Sequence, residues 1–145
     1  SREQLEQSYG QVLQSTGVFD FDHTDYYEDE MGGNLKKEIF LFSDTVDPGS
    51  IPDIKLDTNR IEKELSRGSQ RNVNIDPGYI TLTKVILATT KNYSHRIYIG
   101  SGIYCEITLS WEKGTFRPNP WTYPDYRNKD VIVFFNSCRN ILKKT

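Results

Sequence analysis

Cysteine is scarce: the 145 residues hold only Cys105 and Cys138. They stand far apart at no metal-ligating spacing, and each falls on an apolar face, so they read as buried thiols in a reducing cytosol. Long hydrophobic runs are missing as well. No stretch approaches the ~18 apolar residues of a membrane span, and no basic, apolar, small-residue leader is visible. The expectation is a cytoplasmic protein with no membrane partner. Net charge is small, a formal −2, which argues against nucleic acid as a partner held by counterion release. Several catalytic signatures are absent too. There is no G-x-x-x-x-G-K-[ST] phosphate loop, no G-x-G-x-x-G, no H-E-x-x-H and no G-x-S-x-G elbow.

Hydrophobic residues make up 36%, aromatics 12% and charged residues 26%, a globular composition suited to one domain, 1–145. Such a chain buries roughly 68–70% of its unfolded surface without a disulfide or a metal. Charge is spread unevenly. Residues 1–65 carry 15 acids and 6 bases, whereas residues 66–145 carry 5 acids and 12 bases. Halves that fold against each other would neutralise locally, and a cleft with one acidic and one basic wall would suit a metal-bridged phosphate. Both arrangements satisfy the count.

Ser1 and Gln4 have capping-box spacing, and Leu5, Tyr9, Val12 and Leu13 recur on one face, predicting a first helix that Gly10 weakens. Val18 to Asp22 alternates as a strand, and Glu38 to Val46 reads as a buried strand stopped by Asp47-Pro48-Gly49. A second helix follows Ser50, with Pro52 in its first turn and Gly68 beyond its end. Ile54, Thr58, Ile61 and Leu65 form its core stripe, and Lys55, Asn59 and Glu62 a polar one. Val73 to Ile75 reads as a short strand before the turn Asp76-Pro77-Gly78. In Ile80 to Thr90, β-branched residues favour a strand while Thr81 can cap a helix, and the reading adopted is a helix.

The hairpin from Arg96 to Ser110 around Gly100-Ser101-Gly102 is the clearest element. A two-residue loop would mix polar and apolar residues on each face. A three-residue loop pairs Ile99 with Ile103, Tyr98 with Tyr104, Ile97 with Cys105 and Arg96 with Glu106, with Gly102 as the left-handed residue. Ile97, Ile99, Ile103, Cys105, Ile107 and Leu109 then share one face. Arg96, Tyr98, Tyr104, Glu106 and Thr108 share the other. A last helix starts near Asn128 or Asp130 and buries Val131, Phe134, Phe135, Cys138 and Leu142. The fold expected is α+β, a mainly antiparallel sheet with helices packed on one face.

Residues 20–30 hold six carboxylates and no Lys or Arg. Asp22 and Glu30, together with Asp76, are candidate ligands for a divalent cation, although a solvated acidic loop explains the same run and the EF-hand spacing is missing. Arg71 and Asp76 flank a strand-to-turn junction of the kind that aims polar groups into clefts, and Asp76 could equally stabilise its own turn. Lys91, His95 and Arg96 concentrate positive charge at the hairpin entrance. His95 is a candidate general acid or base and its neighbours candidate phosphate or carboxylate binders; a surface histidine and a cross-strand Arg96–Glu106 pair are the structural alternatives. Trp121, Tyr123 and Tyr126 occupy a Pro-containing loop that either stacks a base or sugar or caps the core.

Phe21-Asp-His-Thr-Asp-Tyr-Tyr-Glu-Asp-Glu-Met-Gly32 begins a series of motifs. It continues through Ile54-Lys55, Thr58-Asn59, Glu62, Asn74-Ile-Asp-Pro-Gly-Tyr79 and Leu87-Ala-Thr-Thr-Lys91. His95-Arg-Ile-Tyr98, Gly102-Ile-Tyr104, Glu106-Ile-Thr-Leu109 and Trp121-Thr-Tyr-Pro-Asp-Tyr126 complete it. From about residue 15 onward the chain resembles the prokaryotic family catalogued as domain of unknown function 4416. The resemblance implies no particular reaction. Members are sometimes labelled GTP-binding, yet the phosphate loop is absent and Asn128-Lys129-Asp130 is one residue short of an N-K-x-D motif. It also implies an apolar strand before the first helix, which this chain lacks. The sheet would be ferredoxin-like once that strand is counted, and its open edge would invite pairing with another chain, including a homo-oligomer.

Because the family-like motifs are polar and aromatic, the functional expectation is an uncharacterised cytosolic protein binding or processing a phosphorylated or anionic small molecule. A nucleotide with a divalent cation is the example. Arg71, Lys91, Arg96, Lys55 and Asn59 would bind the anion, and His95, Glu106 and Asp76 would carry catalysis. Tyr79, Tyr98, Tyr104 and Trp121 would line the pocket. The rival expectation is a non-catalytic protein–protein interaction module.

Overall fold

A computed structural model describes residues 2–20, 35–67 and 73–145, so the candidates Asp22, Glu30 and Arg71 lie outside the described residues. Arg2–Tyr9 form helix α1, which ends at Gly10 with φ +89° and the Gly10 amide donating to the Glu6 carbonyl at 3.0 Å. The glycine stops the helix rather than weakening it. Val12 and Leu13, expected on that helix, therefore open strand β1 (Val12–Ser15). Strands β2 (Phe19–Asp20), β3 (Lys36–Lys37) and β4 (Phe40–Phe42) follow, with β1 antiparallel to β4 and β2 antiparallel to β3. β4 is shorter than the 38–46 run in which the pattern placed it.

A 3-10 turn at Pro48–Ser50 leads into α2 (Ile51–Ser66). Asp47 caps that turn through the Gly49 amide (3.1 Å), while Ser50, the expected cap, makes no capping bond. Ile51, Thr58 and Ile61 are buried, and so is Lys55 of the polar stripe. The Lys55 ammonium donates to the Ile75 carbonyl at 3.4 Å, and Glu62 accepts from the Ile75 amide at 2.7 Å. Residues 73–75 are thus no strand; α2 holds the backbone that a sheet partner would otherwise satisfy.

Five antiparallel strands then build the central sheet: β5 (Gly78–Ile80), β6 (Lys84–Thr89), β7 (Ile97–Gly100), β8 (Ile103–Glu112) and β9 (Thr115–Pro118). Their order is β5-β6-β8-β7, with β9 also on β8. The helix expected over 80–90 is corrected to the β5–β6 hairpin. Thr81 Oγ1 accepts from the amides of Thr83 and Lys84 (3.2 Å each), so it closes a turn instead of capping a helix, and the β-branched run beyond it extends. Gly78 is required within β5, because a Cβ there would collide with the Ile86 carbonyl oxygen.

The hairpin register pairs Ile97 with Cys105 and Tyr98 with Tyr104, as the parity argument requires. A bulge then pairs Gly100, not Ile99, with Ile103, and Gly100, Ser101 and Gly102 all take positive φ (109°, 54° and 77°). A second bulge lies in β8: Val85 faces Leu109 but Ile86 faces Ile107, leaving Thr108 as the extra residue. It moves Leu109 from the expected isoleucine face to the face of Glu106.

Two cores flank the sheet. Leu109 and Val85 pack with Phe116, Tyr126, Phe134, Phe135 and Cys138, bringing α3 (Pro124–Arg127) and α4 (Lys129–Lys143) onto one face. Ala88 and Ile103 pack with Ile51 of α2 on the other. The fold is α+β as expected, but helices cover both faces of the sheet rather than one. All five strands fall between α2 and α3, so this sheet contains no βαβ crossover of the ferredoxin-like kind. Among the described residues no helix is long and apolar enough to cross a membrane.

Candidate functional site

The edge of β8 opposite β6 is shared by two short strands. β7 pairs along residues 103–105 and β9 along 109–112, leaving 106–108 without a strand neighbour. Side chains of the following loop fill the opening. Asn119 Nδ2 and Trp121 Nε1 donate to the Ile107 carbonyl (3.0 and 2.7 Å), and the Thr122 hydroxyl donates to the Thr108 carbonyl. Glu106 lies in this opening with its side chain 2% exposed.

Its carboxylate is closed by two neighbours from the hairpin entrance. Arg96 Nε donates to Glu106 Oε1 at 2.9 Å, and His95 Nε2 meets the same oxygen at 2.9 Å. Thr108 Oγ1 lies 3.4 Å from the other oxygen. The remaining guanidinium nitrogens of Arg96 are committed too, Nη1 to the Lys91 carbonyl (3.1 Å) and Nη2 to the Tyr123 hydroxyl (2.9 Å). Burial alone would lower the Arg96 pKa, but the hydrogen bonds to Glu106 and Tyr123 hold it above the ordinary arginine range. The imidazole of His95 is stacked between Tyr93 (ring centroids 5.9 Å apart) and Trp121 (5.3 Å). Its side chain is 22% exposed, and among the described residues Nδ1 has no hydrogen-bond partner.

A second charged cluster lies under the same loop. Lys37 of β3 is ion-paired with Asp125, stands 3.9 Å from Asp76 and lies 4.4 Å from the centroid of the Tyr126 ring. Burial alone would lower the Lys37 pKa, yet Tyr126, Asp125 and Asp76 outweigh it and keep the ammonium charged well beyond the usual range. Burial pushes the Tyr126 phenol up to about 12.

The structure thus brings together His95, Arg96, Glu106 and Trp121, with Lys91 contributing its backbone carbonyl. Tyr98 and Tyr104 pack against each other at 5.2 Å toward the turn, where the Tyr98 hydroxyl accepts from the Gly102 amide. Asp76 is not among them: it stands beside Lys37 and accepts from Asn74 at 3.3 Å. Tyr79 pairs with Ile86 on the opposite, α2-covered face, and Lys55 and Asn59 ride on α2 itself. Of the three candidate metal ligands only Asp76 is described, and among the described residues no three acidic, histidine or cysteine side chains gather.

Tyr93, Thr108, Lys37 and Asp125 were not singled out as site residues from the sequence. Tyr93 carried a usable signal, an aromatic two positions before the histidine. Lys37 carried none, since its partner lies 88 residues away. No curated protein and no solved structure matches the chain. The family model described as Domain of unknown function (DUF4416) matches residues 1–142, and the chain belongs to that family.

Proposed function

We propose that the Glu106 site binds a phosphorylated or otherwise anionic small molecule and that His95 moves a proton to or from it. The observation that carries this reading is the division of labour on the imidazole: Nε2 is held by a buried carboxylate, while Nδ1, on a part-exposed side chain, has no hydrogen-bond partner among the described residues. Arg96 already balances Glu106, so the trio is neutral when His95 is neutral and carries one positive charge when it is protonated. A charge that appears next to the exposed rings of Tyr93 and Trp121 favours an anion bearing a planar group, and a nucleotide has both features. Arg96 spends a hydrogen bond from each guanidinium nitrogen on Glu106, Lys91 and Tyr123 and acts as the positioning residue, while the Lys91 ammonium supplies the exposed cation. A divalent cation would enter with the phosphates, as Mg²⁺ commonly does.

The test is a calorimetric and thermal-shift titration with inorganic phosphate, pyrophosphate and nucleoside mono- and triphosphates, each with and without Mg²⁺. Stabilisation by at least one of them, lost in His95→Gln, is the expected result. If none stabilises the protein, or the shift persists in His95→Gln, the reading fails. The rival interaction module is favoured by one observation: Tyr93, Ile97 and Tyr98, near this site, are 60%, 71% and 58% exposed. In that case the same titrations are silent.

A further inference from the structure

A groove of about 1620 Å³ lies between the two parts of the strand layer. Phe40 and Phe42 of β4 line it, as do Gly78 and Ile80 of β5, with Ile54 of α2 and Ile141 of α4 among its walls. Helix α4, which covers the central sheet, also covers β4. Leu41 packs on the α4 core, and the Gln14 amide of β1 donates to Ser137 of α4 at 2.9 Å. β1–β4 and β5–β9 are therefore pieces of one layer with a gap between them.

Among the described residues, both pieces present bare backbone. In the β5–β6 ladder, Pro77 O bonds Ala88 N and Thr81 N bonds Lys84 O, which makes Tyr79–Ile86 the hydrogen-bonded pair between them. The amides and carbonyls of Gly78 and Ile80 then point away from β6. In the β1–β4 ladder, Thr16 N bonds Ile39 O and Ser43 N bonds Gln11 O, so Phe40 and Phe42 turn theirs away from β1. Among the described residues none of these four has a ladder partner on that side.

The volume decides what kind of occupant fits. Small-molecule pockets run to about 300–1,000 Å³, and this groove is larger and bounded by strands whose unmet need is backbone hydrogen bonding. A strand there would be covered by α2 on one side and α4 on the other, so it would be apolar on both faces. At the start of β5, Asp76 is a carboxylate in excess, since Lys37 already has Asp125. A basic residue complements it.

We infer that the groove is a β-strand acceptor. An extended apolar run of about 5–6 residues with a basic residue toward Asp76, donated by another polypeptide, pairs with β4 and β5 and joins the two pieces into one sheet. This stands apart from the Glu106 site and needs nothing from it.

The probe is the capped peptide acetyl-Lys-Val-Ile-Val-Ile-Val-Lys-amide, added to the intact chain and followed by residue-resolved hydrogen exchange. The expected result is slowing of exchange at the amides of Phe40, Phe42, Gly78 and Ile80 by about tenfold or more. Binding weakens severalfold in Asp76→Asn, and the same peptide with proline at its centre gives no protection. The inference is overturned if those amides are already protected in the peptide-free chain, alone or as a self-associated dimer. It is equally overturned if the peptide leaves them unchanged, if the proline peptide protects them as well, or if protection appears at β7 instead.

Discussion

Glu106 and Asp125 are both buried carboxylates beneath one loop, each paired with a cation, yet they are built for different ends. The Glu106 pair is a local product of strand register, reaching across a hairpin to Arg96, and it has a second partner in His95 that touches solvent. The Asp125 pair is long-range: Lys37 comes from the distant β3 and lies against the buried Tyr126 ring, with Asp76 as the other carboxylate. One carboxylate sits between a permanent charge and a switchable one. The other is a fixed strut. A buried ion pair by itself is weak evidence of function; the titratable, part-exposed third member is what distinguishes the first.

Truncation gives the largest contrast. Glu106→Ala leaves Arg96, whose side chain is 3% exposed, without its counterion, and the expected loss is about 3–5 kcal/mol in urea denaturation. Asp125→Ala leaves Lys37 with Asp76 and the Tyr126 ring, so about 1.5–3 kcal/mol is expected. Equal losses would remove the distinction between a network with one essential carboxylate and a cluster with a substitute.

Alkali should address the strut alone. The Tyr126 phenol ordinarily ionises near 10 but is pushed up to about 12 by burial, with Asp76 and Asp125 adding to the effect and Lys37 opposing it. A folded-state pKa raised in this way means the folded form keeps the proton that the unfolded form gives up. Stability is therefore full below about pH 10 and falls by about 2–3 kcal/mol as the pH rises to about 12. Other buried groups titrate nearby, so the informative quantity is the difference between the protein and Tyr126→Phe across that window. If the two lose stability in parallel, the Tyr126 phenol is not buried as described.

The same contrast governs what could be read without coordinates. The Arg96–Glu106 pair followed from the alternation of polar and apolar residues about Gly100-Ser101-Gly102, because a ladder register is a local, parity-controlled property. His95 adjoined it in sequence and Trp121 belonged to a visible motif. The Thr108 bulge had no such sign, and that one extra residue moved Leu109 across the sheet. Thr81 misled for a related reason, since a threonine ahead of β-branched residues closes a turn with the same hydroxyl it would use as a helix cap. Lys37 meeting Asp125 depended on how distant segments pack, which no local pattern encodes.

The finest test of the contrast costs the fold least. Indole emission falls when a protonated imidazole stacks on the ring, because the cation accepts the excited electron, and neutral imidazole quenches far less. Trp121 lies 5.3 Å from His95 with the ring planes 11° apart, so its emission reports the charge on that residue. Acidification that protonates His95 should dim the fluorescence in a single-proton step. Trp111 stacks instead on Arg139, whose charge is constant, and contributes an unchanging background. The step should vanish in His95→Gln, survive in Trp111→Phe, and remain in Lys37→Met, because the strut exchanges no proton with this ring. Persistence of the step in His95→Gln would assign it to another group and leave the Glu106 network as inert as its neighbour.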